Sequence, residues 1–152
     1  MYVELPQLTL EQKWQTAESN LIYFIVCGIS YAKSRGGTAE DFGTWAGKVA
    51  APSWEGIKNQ GPRGLVEGIA ENKQQFRNFE IEILNESAVF IQAKIRGFGE
   101  EMVRRRARHE IMVDDYIRFF DKKWIAIADY LGLEYKQHVE GDWVIFTVTE
   151  KK

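Results

Sequence analysis

The residues best suited to chemistry crowd into one short stretch: Arg104, Arg105, Arg106 and Arg108, then His109, Glu110, Asp114 and Asp115. An arginine fork matches a carboxylate or a phosphate, so this stretch offers a seat for an anionic group. Arg108 and His109 are the candidates for holding such a head group. A histidine beside carboxylates is also the raw material of a general base. His109, with Glu110 or Asp114 nearby, would then serve a hydrolase acting on a small amide or cyclic substrate.

Simpler roles compete for the same residues. Glu100 with Arg104, and Glu101 with Arg105, are i,i+4 pairs in the favourable order on a helix. Acids early and bases late also suit the helix dipole. Four arginines so closely spaced cannot all face one way on a helix. His109-Glu110 begins like the zinc motif HExxH, but Val113 stands where the second histidine belongs, so no metal site is expected. The glycines at 36, 37, 43, 47, 56, 61, 64 and 68 fit neither a P-loop nor a dinucleotide fingerprint, and no cofactor is expected. Cys27 lies in the most apolar run of the chain, where a thiol acts as a small hydrophobe. Ser30 lacks the G-x-S-x-G elbow of a nucleophilic serine. His138 falls on an expected strand and reads as a surface residue.

Aromatic residues make up 13% of the chain, with tryptophans at 14, 45, 54, 124 and 143. Most fall on helical stripes and read as core. Trp45 and Trp54 flank the irregular Pro52-Ser53 turn, where a large ring can line a pocket mouth. These two, with Tyr116, are the candidate wall of a ligand pocket.

The elements that must position these residues follow from period and punctuation. Thr9 to Gln12 is a capping box, opening a helix to about residue 34 with Leu10, Trp14, Ala17, Leu21, Ile25 and Ala32 near one face. Gly36-Gly37 ends it. Thr38 caps a second helix whose apolar stripe is Phe42, Trp45 and Val49, while Gly43 and Gly47 permit close approach of a neighbouring helix. Ser53 to Gly61 is ambiguous, consistent with a short helical turn. Pro62 suits the first position of a third helix, with Leu65, Ile69 and Phe76 on its buried side. The period then changes to two. Phe79, Ile81 and Ile83 alternate with glutamates, and a turn at Asn85-Glu86-Ser87 leads into a more apolar strand ending near Ile95. Glu100 to His109 is a charged helical piece. Met112 to Leu131 is the clearest helix, with Val113, Tyr116, Ile117, Phe120, Trp124, Ile127 and Leu131 inward. A second hairpin spans Leu133 to Thr149 about Glu140-Gly141-Asp142.

Two hairpins are marginal alone, so they are expected to join. The expectation is a single α+β domain over residues 1–152: a four-stranded antiparallel sheet covered by the N-terminal helices and the central helical pair. At 152 residues, with 45% hydrophobic and 28% charged residues and a net charge of −2, the chain can build one core and lacks the basic excess of a general nucleic-acid binder. A single cysteine excludes an internal disulfide and fits a reducing cytoplasm. The N-terminus has no secretory pattern. The run Leu21 to Ala32 is too short to span a bilayer and reads as a buried helix.

The hairpin–helix–hairpin order resembles the ligand-binding superfamily that includes the 4-vinyl-reductase-type domains and the related Golgi-transport tethering subunits. The stretch from Leu131-Gly132-Leu133 through Gly141-Asp142-Trp143-Val144-Ile145-Phe146 is similar to the end of L-2-amino-thiazoline-4-carboxylic acid hydrolase-like proteins. The cysteines common in both families are absent from this half, and no functional residue is transferred. The resemblance implies a small-molecule or acyl-ligand pocket. The leading expectation is therefore a protein that binds an apolar or amphipathic small molecule between helices and sheet. The alternatives are the hydrolase above and a homodimeric interaction module that pairs through an exposed sheet edge.

Overall fold

The structure is a computed structural model and describes residues 7–105 and 110–151. Helix α1 (Leu10–Ser34) begins at the Thr9–Gln12 capping box, in which the Thr9 hydroxyl accepts from the Gln12 amide and the Gln12 side chain accepts from the Thr9 amide. Helix α2 (Ala39–Ala50) starts the same way, with Thr38 and Asp41 as the reciprocal pair. It runs into a 3₁₀ segment, Ala51–Gln60, which resolves the ambiguous stretch; helix α3 (Gly61–Lys73) follows with Pro62 in its first turn. Strands β1 (Glu80–Ser87) and β2 (Phe90–Arg96) form the first hairpin, and β3 (Leu133–Glu140) and β4 (Trp143–Glu150) the second. Between them lie the short helix α4 (Glu100–Arg105) and the long helix α5 (Val113–Tyr130).

The hairpins join into one antiparallel sheet in the order β1-β2-β4-β3, so the fold is α+β as expected. Ala93 pairs with Phe146 and Ile95 with Val144 across the central ladder. Ile91, Ala93, Ile95, Phe146 and Val148 are buried, on a face where α3 lies against β2 and β4 and α5 against β3. The opposite face carries paired charges: Glu82 with Lys94 at 2.8 Å and Glu80 with Arg96 at 2.7 Å. Lys94 and Arg96 also stand over the Trp143 ring at 4.6 and 4.4 Å.

Three local expectations are corrected. In α1 the buried residues are Glu18, Ile22, Val26 and Ile29, while Leu10, Trp14 and Ala17 stay exposed. In α2 the inward face is Ala39, Gly43 and Gly47; of the expected stripe, Phe42 stacks on buried Phe119 while Trp45 and Val49 stay in water. The cause is a close helix crossing. A Cβ on Gly43 would lie 2.3 Å from the Phe119 carbonyl oxygen, and one on Gly47 would lie 2.5 Å from that of Lys123. Backbone meets backbone there, so only hydrogen fits. In α4, Glu100 forms no pair with Arg104; it is buried beneath the helix start. Arg104 pairs with Glu101 instead, and Arg105 reaches Glu101 at 3.6 Å.

A candidate ligand cleft beside helix α4

The turn between β2 and α4 is built from Gly97, Phe98 and Gly99, and both glycines have positive φ, 75° and 102°. A side chain at Gly97 would strike the Asn78 carbonyl oxygen at 1.9 Å, and one at Gly99 would strike the Tyr116 hydroxyl at 2.6 Å. Glycine is therefore required for both conformation and space. The buried Glu100 carboxylate locks the turn. Its two oxygens accept from the Gly97 amide at 2.6 Å and from the Phe98 amide at 2.7 Å. From below, the Tyr116 hydroxyl donates to the Phe98 carbonyl at 2.9 Å. Burial, aided by the charges of Glu100 and Glu18, pushes the Tyr116 hydroxyl well above the ordinary tyrosine range, so it stays a donor.

Across from this turn, α1 presents Glu18, which is almost wholly buried. One oxygen accepts from Arg77 Nε at 2.7 Å and the other from the Arg77 amide at 3.3 Å. The Trp14 indole N–H donates to the Gln75 carbonyl at 2.6 Å and ties the start of α1 to the same segment. Between these walls is a cleft of about 310 Å³ lined by Glu18, Ile22, Arg77, Asn78, Met102 and Arg105, among others. It continues along α1 past Tyr23 and Val26, where Met102 and Val103 face them. At the other end it meets a polar hollow with Glu80, Arg96, Glu101 and Asp142.

The hydrogen-bond inventory of the cleft is lopsided. Both oxygens of Glu18 are committed to Arg77, and Glu101 is committed to Arg104 and Arg105. Arg77 uses only Nε and its main-chain N–H; among the described residues no hydrogen bond engages its two Nη atoms. The cleft thus combines a fixed guanidinium with unused donors and an apolar wall from Ile22 and Met102. That pattern suits an anionic group carried on an apolar body.

Beneath the turn lies a second unusual group. The Lys73 amine is fully buried and has no hydrogen-bond partner. It sits 3.0 Å from the centre of the Phe120 ring and 4.5 Å from that of Phe98. Ring faces attract a cation, but complete desolvation costs more than they return. Burial first, then Lys123, holds this amine well below the ordinary lysine range, against the opposing pull of Glu100.

The residues picked out from the sequence fall in different places. Tyr116 is buried under the cleft as a support for Gly99, and only its hydroxyl approaches the lining. Trp54 borders a separate open groove with Ile57 and Gly68, its ring edge-on to Trp124 at 5.3 Å between centroids. Trp45 lies on the outer surface of α2, stacked on Phe42 at 6.0 Å. Arg108 and His109 lie outside the described residues. Glu110 is exposed with a φ of 59°, and Asp115 caps Met112 while pairing with Lys33 at 2.7 Å. Among the described residues, no group of three or more His, Cys, Asp or Glu is placed to hold a metal ion.

Sequence reasoning missed Glu18, Arg77 and Glu100. A signal existed for two of them. Glu18 shares helical spacing with Ile22, Val26 and Ile29, which marks a carboxylate on a buried stripe. Glu100 follows Gly-Phe-Gly, a turn able to present successive amides to an acid just downstream. Nothing local marks Arg77 as their partner.

No family model matches this chain, and no curated protein matches it. The resemblances stated above gain no support there. Among solved structures, the chain is similar to the crystal structure of an Fe(II) unliganded H-NOX protein mutant from K. algicida. The TM-score is 0.45 and the identity 9%, with 100% of this chain and 78% of that one covered. No residue role is transferred at that level. Among the described residues, no helix is long and apolar enough to cross a membrane.

Proposed function

We propose that this chain is a small-molecule binding protein whose ligand is amphipathic and carries a carboxylate or similar anion. The supporting observation is the lopsided cleft. Arg77 is fixed by buried Glu18 with its Nη atoms unengaged among the described residues, and Ile22 and Met102 supply an apolar wall beside it. The acids of the cleft are already satisfied, so an added anion meets donors rather than open acceptors. The volume is at the lower end of the range for ligand sites, which favours a short molecule.

The reading is tested with octanoate as probe, by isothermal titration calorimetry on the wild type, Arg77→Met and Met102→Glu. Saturable binding that weakens roughly a hundredfold in Arg77→Met supports it, the loss expected for a charge-assisted contact of about 2–3 kcal/mol. Native mass spectrometry of the freshly purified protein, showing a retained small acid, would support it independently. Octanoate binding that is unchanged in both variants would remove the cleft from consideration.

A further inference from the structure

Helix α1 carries a second apolar face besides the one it buries. Leu10, Trp14, Ala17, Leu21, Phe24, Gly28 and Tyr31 recur at alternating steps of four and three residues over the whole helix. That is the spacing of a coiled-coil seam over three heptads, about 32 Å at 1.5 Å per residue, although within the chain Trp14 is tied to Gln75, Leu21 packs on the core and Gly28 lies under Phe42. Much of it stands in water. Leu10 is 83% exposed, Phe24 70% and Tyr31 68%. The face continues onto α2. The Phe42 ring fills the space that a Cβ on Gly28 would occupy, Trp45 stacks on Phe42, and Val49 follows one turn later. Trp45 is 61% exposed and Val49 63%.

We propose that this α1–α2 face is a homodimer interface, in which α1 packs antiparallel against α1 of a second copy. The area fits. The exposed parts of Leu10, Phe24, Tyr31, Trp45 and Val49 amount to on the order of 700 Å², judged from the size of such side chains. A standard interface takes about 800 Å² from each partner. The pattern is self-complementary in the antiparallel sense. Pairing the helices head to tail sets the bulky half with Phe24 and Tyr31 against the half containing Ala17. A parallel pair would instead stack Ala17 on Ala17, leaving a gap. Opposed helix dipoles favour the same direction. A two-fold axis across the middle of α1 closes the assembly at two.

The sheet edges are poorer candidates. β1 carries Glu80, Glu82 and Glu86 with a bulge between Ile83 and Asn85, and β3 carries Glu134, Lys136 and Glu140. Charges and bulges are the usual guards against edge pairing.

Analytical ultracentrifugation from low to high micromolar protein tests the interface, with circular dichroism to confirm folding. The expected result is a wild-type dimer whose dissociation constant rises roughly tenfold or more in Phe24→Glu and in Trp45→Glu, as for central interface aromatics. Both side chains are largely exposed in the single chain, so the variants keep its fold. A wild type that stays monomeric throughout overturns the proposal, as does a dimer indifferent to both substitutions. Sedimentation of a monomeric wild type with anionic phospholipid vesicles would also overturn it, by assigning the face to a lipid surface.

Discussion

Helices α5 and α2 carry aromatic stripes of the same kind, yet the structure treats them in opposite ways. In α5 the stripe turns inward, and Tyr116, Phe120 and Trp124 are buried. In α2 the glycines turn inward and Trp45 stays outside. The two helices meet at a crossing too close for side chains on the α2 side. Hydrophobicity alone therefore did not choose the face of α2; the gain from bringing two backbones together did. The lesson extends to α1, where the buried stripe contains a glutamate while Leu10, Trp14 and Ala17 of the more obvious apolar stripe stay in water.

Four substitutions probe that contrast. The largest effect is expected from Gly43→Leu, which drives a side chain into the Phe119 carbonyl and forces α2 from α5. Loss of about 3 kcal/mol or more, read by urea denaturation, is the expected outcome. A mild effect would mean that the crossing is loose and that the outward stripe of α2 needs another explanation.

Next comes Lys73→Met, which replaces an orphaned amine beside Phe120 with an apolar group of similar length. Stability should rise by about 2 kcal/mol near neutral pH. The pH dependence has a definite sign. The unfolded chain holds the lysine proton up to about pH 10.4, whereas the folded protein releases it well below that value. In this window the unfolded state binds more protons, so wild-type stability climbs with pH. The variant should lack that climb, and denaturation series at several pH values would show whether it does.

Tyr116→Phe should cost about 1–2 kcal/mol by leaving the buried Phe98 carbonyl without its donor. If octanoate binds the wild type, the same change should weaken it only modestly, because Tyr116 supports the cleft from below. Trp45→Ser should be the smallest, changing unfolding free energy by less than about 0.5 kcal/mol in dilute solution where the chain is monomeric. A large loss there would show that Trp45 belongs to the core after all.

The local signals in the sequence were mostly sound. The capping box at Thr9, the Thr38 cap, the change of period at Phe79 and the Gly141 turn located the helices and both hairpins, because each depends on near neighbours. What could not be read was which side of a helix faces inward when both sides are apolar or small. That choice depends on the partner helix, and the Gly43–Phe119 approach joins residues far apart in sequence. The cleft was hidden for the same reason. Glu18 and Arg77 are ordinary surface residues until the fold joins them, while the louder cluster after Glu100 has one acid turned inward and Glu101 satisfied by Arg104 and Arg105. Aromatic content pointed toward a pocket wall at Trp45 and Trp54; Trp54 borders an open groove with its ring against Trp124, and Trp45 lies on the outer face of α2.

The strand order has a kinetic consequence. β2 and β4 are central neighbours, and Phe90 pairs with Thr149. Each hairpin can form from local contacts, but the ladder that unites them must wait for the whole α4–α5 segment to be made and folded back. Closing so long a loop slows folding. On the ribosome, β2 must remain with an open inner edge until β4 emerges, and Ile91, Ala93 and Ile95 have no finished sheet to enter. The charged outer strand β1, already paired with β2 on its other side, leaves that temporary edge as the place where a nascent chain is most exposed to pairing with the wrong strand.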